Sequence, residues 1–199
     1  RDVRFVDANQ TDMLTHWIED WNTSGTSTLW VQIPKLTATS TTDHIWMYYG
    51  NSGTTTTGQA TTSVYDTNFK GVWPLFATST AARKFNDVTR TAATSTANDF
   101  DGNEAAFGII DGGITQPNET EYLKTGQMSS LNITGTSITV GMWVYPIGQD
   151  FDQTIIIKAI TDGAFGDPFY QYGFELDANT TDAFAFESSD STTIFECLI

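Results

Sequence analysis

Apolar and polar residues alternate in short runs along most of this chain, and each run stops at a cluster of turn-forming residues. "DVRFVD" puts Val3 and Phe5 on one face of a strand. "HWIEDW" is rich in aromatics and runs into "NTSG", a turn composition. In "TLWVQIP", Leu29, Val31 and Ile33 share a face, Trp30 takes the other, and Pro34 ends the run. "DHIWMYYG" is a further apolar strand, closed by Gly50, Asn51 and Gly53. After residue 120 the signal returns in "EYLKT", "SITVGMWVYP", "QTIIIKAI", "YQYGFELD" and "DAFAFESS". Within "SITVGMWVYP" the period of two places Ile138, Val140, Met142 and Val144 on one face and Trp143 and Tyr145 on the other. Helical periodicity is confined to a candidate turn in "TDMLTHWIEDW". The pattern predicts an all-β protein, with strands spaced as in a sandwich or jelly roll.

Two stretches interrupt it. "TTTTGQATTS" has no apolar period and reads as a linker, and residues 77–97 are weakly patterned and rich in Thr, Ser and Ala. A new apolar section begins at "VYDTNFKGVWPLF". A boundary near residues 66–72 is predicted, with a small β-rich domain over 1–66 and a second domain over 67–199.

Composition narrows the partners. The chain has 199 residues, 24 acidic against 9 basic, and a formal net charge of −15. Lys and Arg are nowhere clustered, so nucleic acid is excluded as a partner, and adhesion to anionic lipid is disfavoured. Acidity fits divalent cations, salty surroundings or solubility alone. The single cysteine, Cys197, lies in the apolar run "TTIFECLI" and reads as a buried thiol. No stretch approaches the roughly 20 apolar residues of a membrane-spanning helix, so direct membrane insertion is not expected.

Particular residues add to the pattern. "EYLKTGQMSSLNITGTSITVGMWVYP" resembles the entry strands of the concanavalin A-like, laminin-G-like jelly roll, through Tyr122, Leu123, Leu131, Ser137, Thr139, Trp143, Val144 and Pro146. "GVWPLF" at 71–76 is similar to that family's opening strand, and Phe100–Gly102 to a tripeptide common in it. The earlier part resembles an uncharacterised bacterial extracellular domain that often precedes such modules, through Trp30, Val31, Ile33 and Pro34 and through Tyr48 to Asn51. The resemblance implies a concanavalin A-like sandwich over 67–199, located outside the cell or on its surface. Such a jelly roll needs further strands beyond "FECLI", and the first domain normally starts before Arg1. The chain is therefore expected to be a segment of a longer protein, with a sandwich incomplete at its C-terminus.

Candidate chemistry is sparse. Glu175 and Asp177 share a strand face, and paired carboxylates are the working part of most glycosidases. The glucanase branch of the resembled fold uses a third acid, which would fall at Asn179 or Thr180, and neither titrates near neutral pH. A solvent-facing pair of acids is the preferred reading, and no enzyme activity is expected. His16 and His44 sit beside tryptophans and read as packing residues rather than bases. One Cys and two separated His cannot supply the usual zinc set. "NDFDGNE" offers Asp99, Asp101, Asn103 and Glu104 as hard oxygen ligands, and "TDGAFGD" offers Asp162 and Asp167. Calcium is the ion the resemblance implies there, against ordinary Asx-turn chemistry. Trp143 reads as a core residue, whereas Tyr170 and Tyr172 stay open between core and ligand face.

The expected ligand-binding set is Tyr170, Tyr172, Glu175 and Asp177, and the expected metal set is Asp99, Asp101, Asn103 and Glu104. The expected function is that of a non-catalytic extracellular binding or adhesion module recognising carbohydrate or protein. A self-assembling structural subunit of a filament, surface layer or virion is the alternative, and a glycoside hydrolase-related domain the second alternative.

Overall fold

The computed structural model describes residues 2–56, 58–77, 83–85, 87–93, 95–116, 118, 120–125, 128–133, 135, 137–146, 153–159, 170–177, 183–189 and 194–198. The protein is all-β, built from several small antiparallel sheets. It forms two compact units, Arg1–Lys124 and Thr125–Ile199. Among the described residues no helix is long and apolar enough to cross a membrane.

The first unit begins with β1 (Arg4–Val6), β2 (Met13–Leu14), β3 (His16–Asp20), β4 (Thr28–Val31) and β5 (Trp46–Tyr48). β2, β1 and β5 form a three-stranded sheet in that order, and β3 pairs with β4. Alternation decides what each face does. Phe5 stands opposite Leu14 and Met47, whereas Val6 stands opposite Met13 and Trp46. The first face is interior along β1 and β2, where Val3, Phe5 and Leu14 are buried together with Trp21, Leu29 and Val31 packed against them, and is exposed at Met47 on the β5 edge. Burying each such side chain contributes roughly 1.5–3 kcal/mol.

β3 is buried on both faces, because a second cluster forms on its other side. There Trp17, Val64 and Tyr65 pack with Trp30, Val72 and Val88. Leu29 and Val31 thus serve one cluster and Trp30 the other, as the period of two requires. Glu19 is buried here and accepts a hydrogen bond from the Trp30 indole N–H at 2.5 Å. Burial, and secondarily the charge of Glu19, push the Tyr65 hydroxyl up to about 12.

The rest of this unit comprises β6 (Phe76–Ala77), β7 (Arg83–Lys84), β8 (Thr96–Asn98), β9 (Ala105–Phe107), β10 (Gly112–Ile114) and β11 (Tyr122–Lys124), paired β6–β7, β8–β11 and β9–β10. Asp87 ties the weakly patterned stretch together. Its buried carboxylate accepts from the Val72, Thr89 and Ala93 N–H groups and from the Thr89 hydroxyl. Side-chain acceptors here do what a sheet ladder does elsewhere, which is why periodicity is weak.

The second unit is a four-stranded antiparallel meander of β12 (Gln153–Ala159), β13 (Tyr170–Asp177), β14 (Ala183–Ser189) and β15 (Ile194–Leu198). Tyr172 and Leu176 are buried on the same face of β13. The register against β12 slips between Lys158 and Ala159, leaving Gln171 as the extra residue of a bulge. The bulge lets adjacent side chains reach one neighbouring segment. The Gln171 amide donates to the Ile133 carbonyl and accepts from the Ile133 N–H, at 3.2 and 3.0 Å. The Tyr172 hydroxyl donates to the Leu131 carbonyl at 3.2 Å.

One expected strand is not formed. Residues 137–146 carry the alternation but belong to no strand. Trp143, expected in the core, is 74% exposed, and Tyr145 is exposed as well. Alternating side chains make a strand only where a neighbouring backbone completes the ladder, and none does so among the described residues.

Candidate functional site

The outer face of the β2–β1–β5 sheet carries Val6, Met13, Trp46 and Tyr48, with Met13, Trp46 and Tyr48 all exposed. Residues two apart on one strand lie about 6.6 Å apart. Trp46 and Tyr48 therefore form a short aromatic row along β5, which is an edge of its sheet. His44 extends the row, its ring meeting that of Trp46 edge-on with centroids 5.4 Å apart.

Both rings are tethered at their polar tips. The Trp46 indole N–H donates to the Ala8 carbonyl at 3.3 Å, and the Tyr48 hydroxyl donates to Gln10 Oε1 at 2.6 Å. Ala8 and Gln10 belong to the turn joining β1 to β2, which is itself closely stitched. The Asp7 carboxylate accepts from the Thr11 and Asp12 N–H groups at 2.8 and 3.1 Å. The N–H of Asp12, then that of Thr11, hold the Asp7 carboxyl below its ordinary value of 3.8. Gln10 has a φ of 60°, a left-handed conformation unusual for a residue with a Cβ. The turn accepts that strain at the residue whose side chain meets Tyr48.

Beside the inner face lies an open apolar groove of about 260 Å³, lined by Val3, Trp21, Ser27, Leu29, Met47 and Tyr49. Odd and even residues of the 46–49 stretch thus serve different surfaces, both exposed: Trp46 and Tyr48 the outer face, and Met47 and Tyr49 the groove.

Of the four residues expected to bind ligand, Tyr172 and Glu175 have described side chains. Tyr172 is buried, and burial raises its hydroxyl pKa. From Tyr172 to Glu175 the register with β14 is unbroken, so Glu175 lies on the opposite face from Tyr172. Glu175 is half-buried, opposite Thr154 and Ala185. Tyr170 and Asp177 stand in β13 opposite Ala159 and Ala183, and their side chains lie outside the described residues. Asn179 and Thr180 lie outside them too, as do Asp162 and Asp167 and the Cys197 side chain.

The "NDFDGNE" loop is a turn capped by its own acids. Asp101 accepts from the Asn103 N–H at 3.0 Å. Glu104 is buried and accepts from the Gly102 N–H with both oxygens, at 3.0 and 3.1 Å. Asp99 is exposed, with a φ of 53°. Among the described residues, no three His, Cys, Asp or Glu side chains are grouped to hold a metal ion.

His16 is a packing residue, 1% exposed, with both ring nitrogens lacking a hydrogen-bond partner and its ring edge-on to Phe5 at 5.3 Å. Burial, and then the Arg4 charge, lower its pKa below the ordinary 6.5, favouring the neutral ring. His44 is exposed, and its Nδ1 lies 2.8 Å from the Thr42 carbonyl, to which it can only donate.

Sequence reasoning missed the Trp46–Tyr48 row as a site, although one signal was available. No charged residue occurs from Ile45 to Tyr65 in a chain of net charge −15.

Residues 1–76 match the model of a domain of unknown function, DUF2341. No curated protein and no solved structure matches the chain.

Proposed function

We propose that this chain is a non-catalytic binding or adhesion module of a larger extracellular or cell-surface protein, recognising carbohydrate or protein. The observation that carries the reading is the position of the exposed aromatics. Trp46, Tyr48 and Tyr49 lie in one charge-free run, Ile45–Tyr65, and Trp143 and Tyr145 in another, Thr125–Gln149. Large exposed apolar side chains gathered away from charge mark interaction surfaces. Tyr and Trp suit such surfaces because each combines a broad apolar face with a polar tip.

The concanavalin A-like assignment of residues 67–199 belongs to this proposal. Its support is the four-stranded antiparallel meander β12–β15, which buries Tyr172, Leu176 and Ala185. Calcium enters at the Asp99–Glu104 loop. There an ion would use the exposed Asp99 and Asp101 and would have to draw Glu104 from the Gly102 N–H. Catalysis is not part of the proposal, since Glu175 and Asp177 lack a titrating partner at positions 179 and 180. Binding to an array of glycans and candidate proteins, with and without chelator, tests the reading. Failure to bind any of them at any calcium level removes it.

Residues 137–146 favour a second reading, self-assembly. They keep strand alternation with no ladder among the described residues, and an unpaired strand-like segment is a template for another chain. Sedimentation across a wide concentration range tests it, and a monomer stable at high concentration counts against it.

A further inference from the structure

We infer that the outer face of the β2–β1–β5 sheet is a binding site for a neutral oligosaccharide, with Trp46 and Tyr48 as stacking rings and Gln10 as hydrogen-bond donor. This rests on the binding-module reading and deepens it by naming the face and the ligand class.

The geometry supports a stacking platform. An exposed aromatic side chain normally loses rotamer freedom when a ligand settles on it. Here that loss is largely taken at folding. Trp46 is held by the Ala8 carbonyl and by the His44 ring edge, and Tyr48 by Gln10. Both rings nevertheless remain open, at 44% and 47% exposure. A pyranose presents an apolar C–H face ringed by hydroxyls, so it needs a flat apolar partner with polar groups beside it. Gln10 supplies the second requirement. Its Oε1 is taken by Tyr48, which leaves the two donors of its amide nitrogen at the edge of the row. The left-handed backbone at Gln10 accords with a functional constraint, since a glycine there would be free of strain.

Charge selects among ligands. No charged residue lies between Ile45 and Tyr65. Arg4, the cation on this face, is turned aside to the carbonyls of Val3 and Thr56. A sulfated or uronic acid glycan, a nucleic acid or an anionic lipid would meet a single cation beside the rings, Arg4 opposite Tyr48, already engaged by backbone carbonyls, against a strongly acidic protein. A neutral glycan pays no such penalty.

Titration of the full chain with cellohexaose and chitohexaose, and with heparin as the charged counterpart, tests the inference. A neutral hexasaccharide is expected to bind and heparin not to bind. Trp46→Ala should weaken binding about tenfold or more, the size of losing one stacked ring. Gln10→Gly is the discriminating variant. Glycine suits a φ of 60°, so a purely structural role predicts an unchanged or higher melting temperature and unchanged binding. The inference predicts about fivefold weaker binding without loss of stability. Saccharide binding that survives Trp46→Ala and Gln10→Gly but falls with Trp143→Ala overturns the placement and leaves the binding-module reading intact. Failure of both hexasaccharides to bind overturns the inference. If a protein ligand is found instead, the broader reading survives; if no glycan or protein binds, both fail.

Discussion

The two exposed aromatic stretches, Trp46–Tyr48 and Trp143–Tyr145, look alike in sequence and differ in how they are held. Each alternates apolar residues inside a charge-free run, and each exposes a tryptophan and a tyrosine. β5 is laddered to β1, whose Phe5 belongs to the Val3–Phe5–Leu14 cluster, and is tethered at its ring tips to a stitched turn. Residues 137–146 have no ladder among the described residues. Exposure alone therefore does not define a recognition surface. The proposed roles follow that difference, stacking on a ligand for the held rings and strand pairing for the segment without a ladder among the described residues.

The comparison can be broken most forcefully through the support beneath β5. Phe5→Ala should destabilise the first unit by about 3–5 kcal/mol in urea unfolding, because it empties the cluster behind the sheet. Trp143→Ala should stay within about 0.5 kcal/mol of the parent, since it removes a side chain that packs little. Comparable losses for the two would show that residues 137–146 are also held. A smaller effect is expected from pH. Burial lowers the His16 pKa, so the unfolded chain takes up a proton before the folded one does. Stability should be fully present above the ordinary value of 6.5 and should decline as pH falls below it. His16→Phe should flatten that decline in thermal melts, and an unaltered profile would remove His16 from the account. Smallest of all, Tyr48→Phe should cost about 0.5 kcal/mol by losing one exposed hydrogen bond to Gln10.

Much of the fold was legible because strands announce themselves through alternation. "YQYGFELD" is β13 to the residue, and Val3 and Phe5 share one face as read, which the structure buries. "SITVGMWVYP" was misleading, because alternation records what a segment could pair with rather than whether a partner is present. The Asp87 hub was invisible for the opposite reason, since hydrogen bonds from side chain to backbone leave no apolar period. The candidate site was legible only in part. Tyr172 and Glu175 are an odd number of residues apart, so parity alone separates their faces. The exposure of "IWMYY" on both faces could not be read from so apolar a segment, because it depends on how little packs against β5 at the sheet edge.

Hydrogen exchange along the full chain, with and without saturating neutral hexasaccharide, tests the central claim most directly. Before ligand, the amides of β1 and β5 should exchange slowly and those of residues 138–145 rapidly. Added ligand should slow exchange further at Ala8–Gln10 and Trp46–Tyr48 and leave residues 138–145 unchanged. Protection appearing at residues 138–145 alone, with none at the β1–β2 turn or β5, would contradict the account.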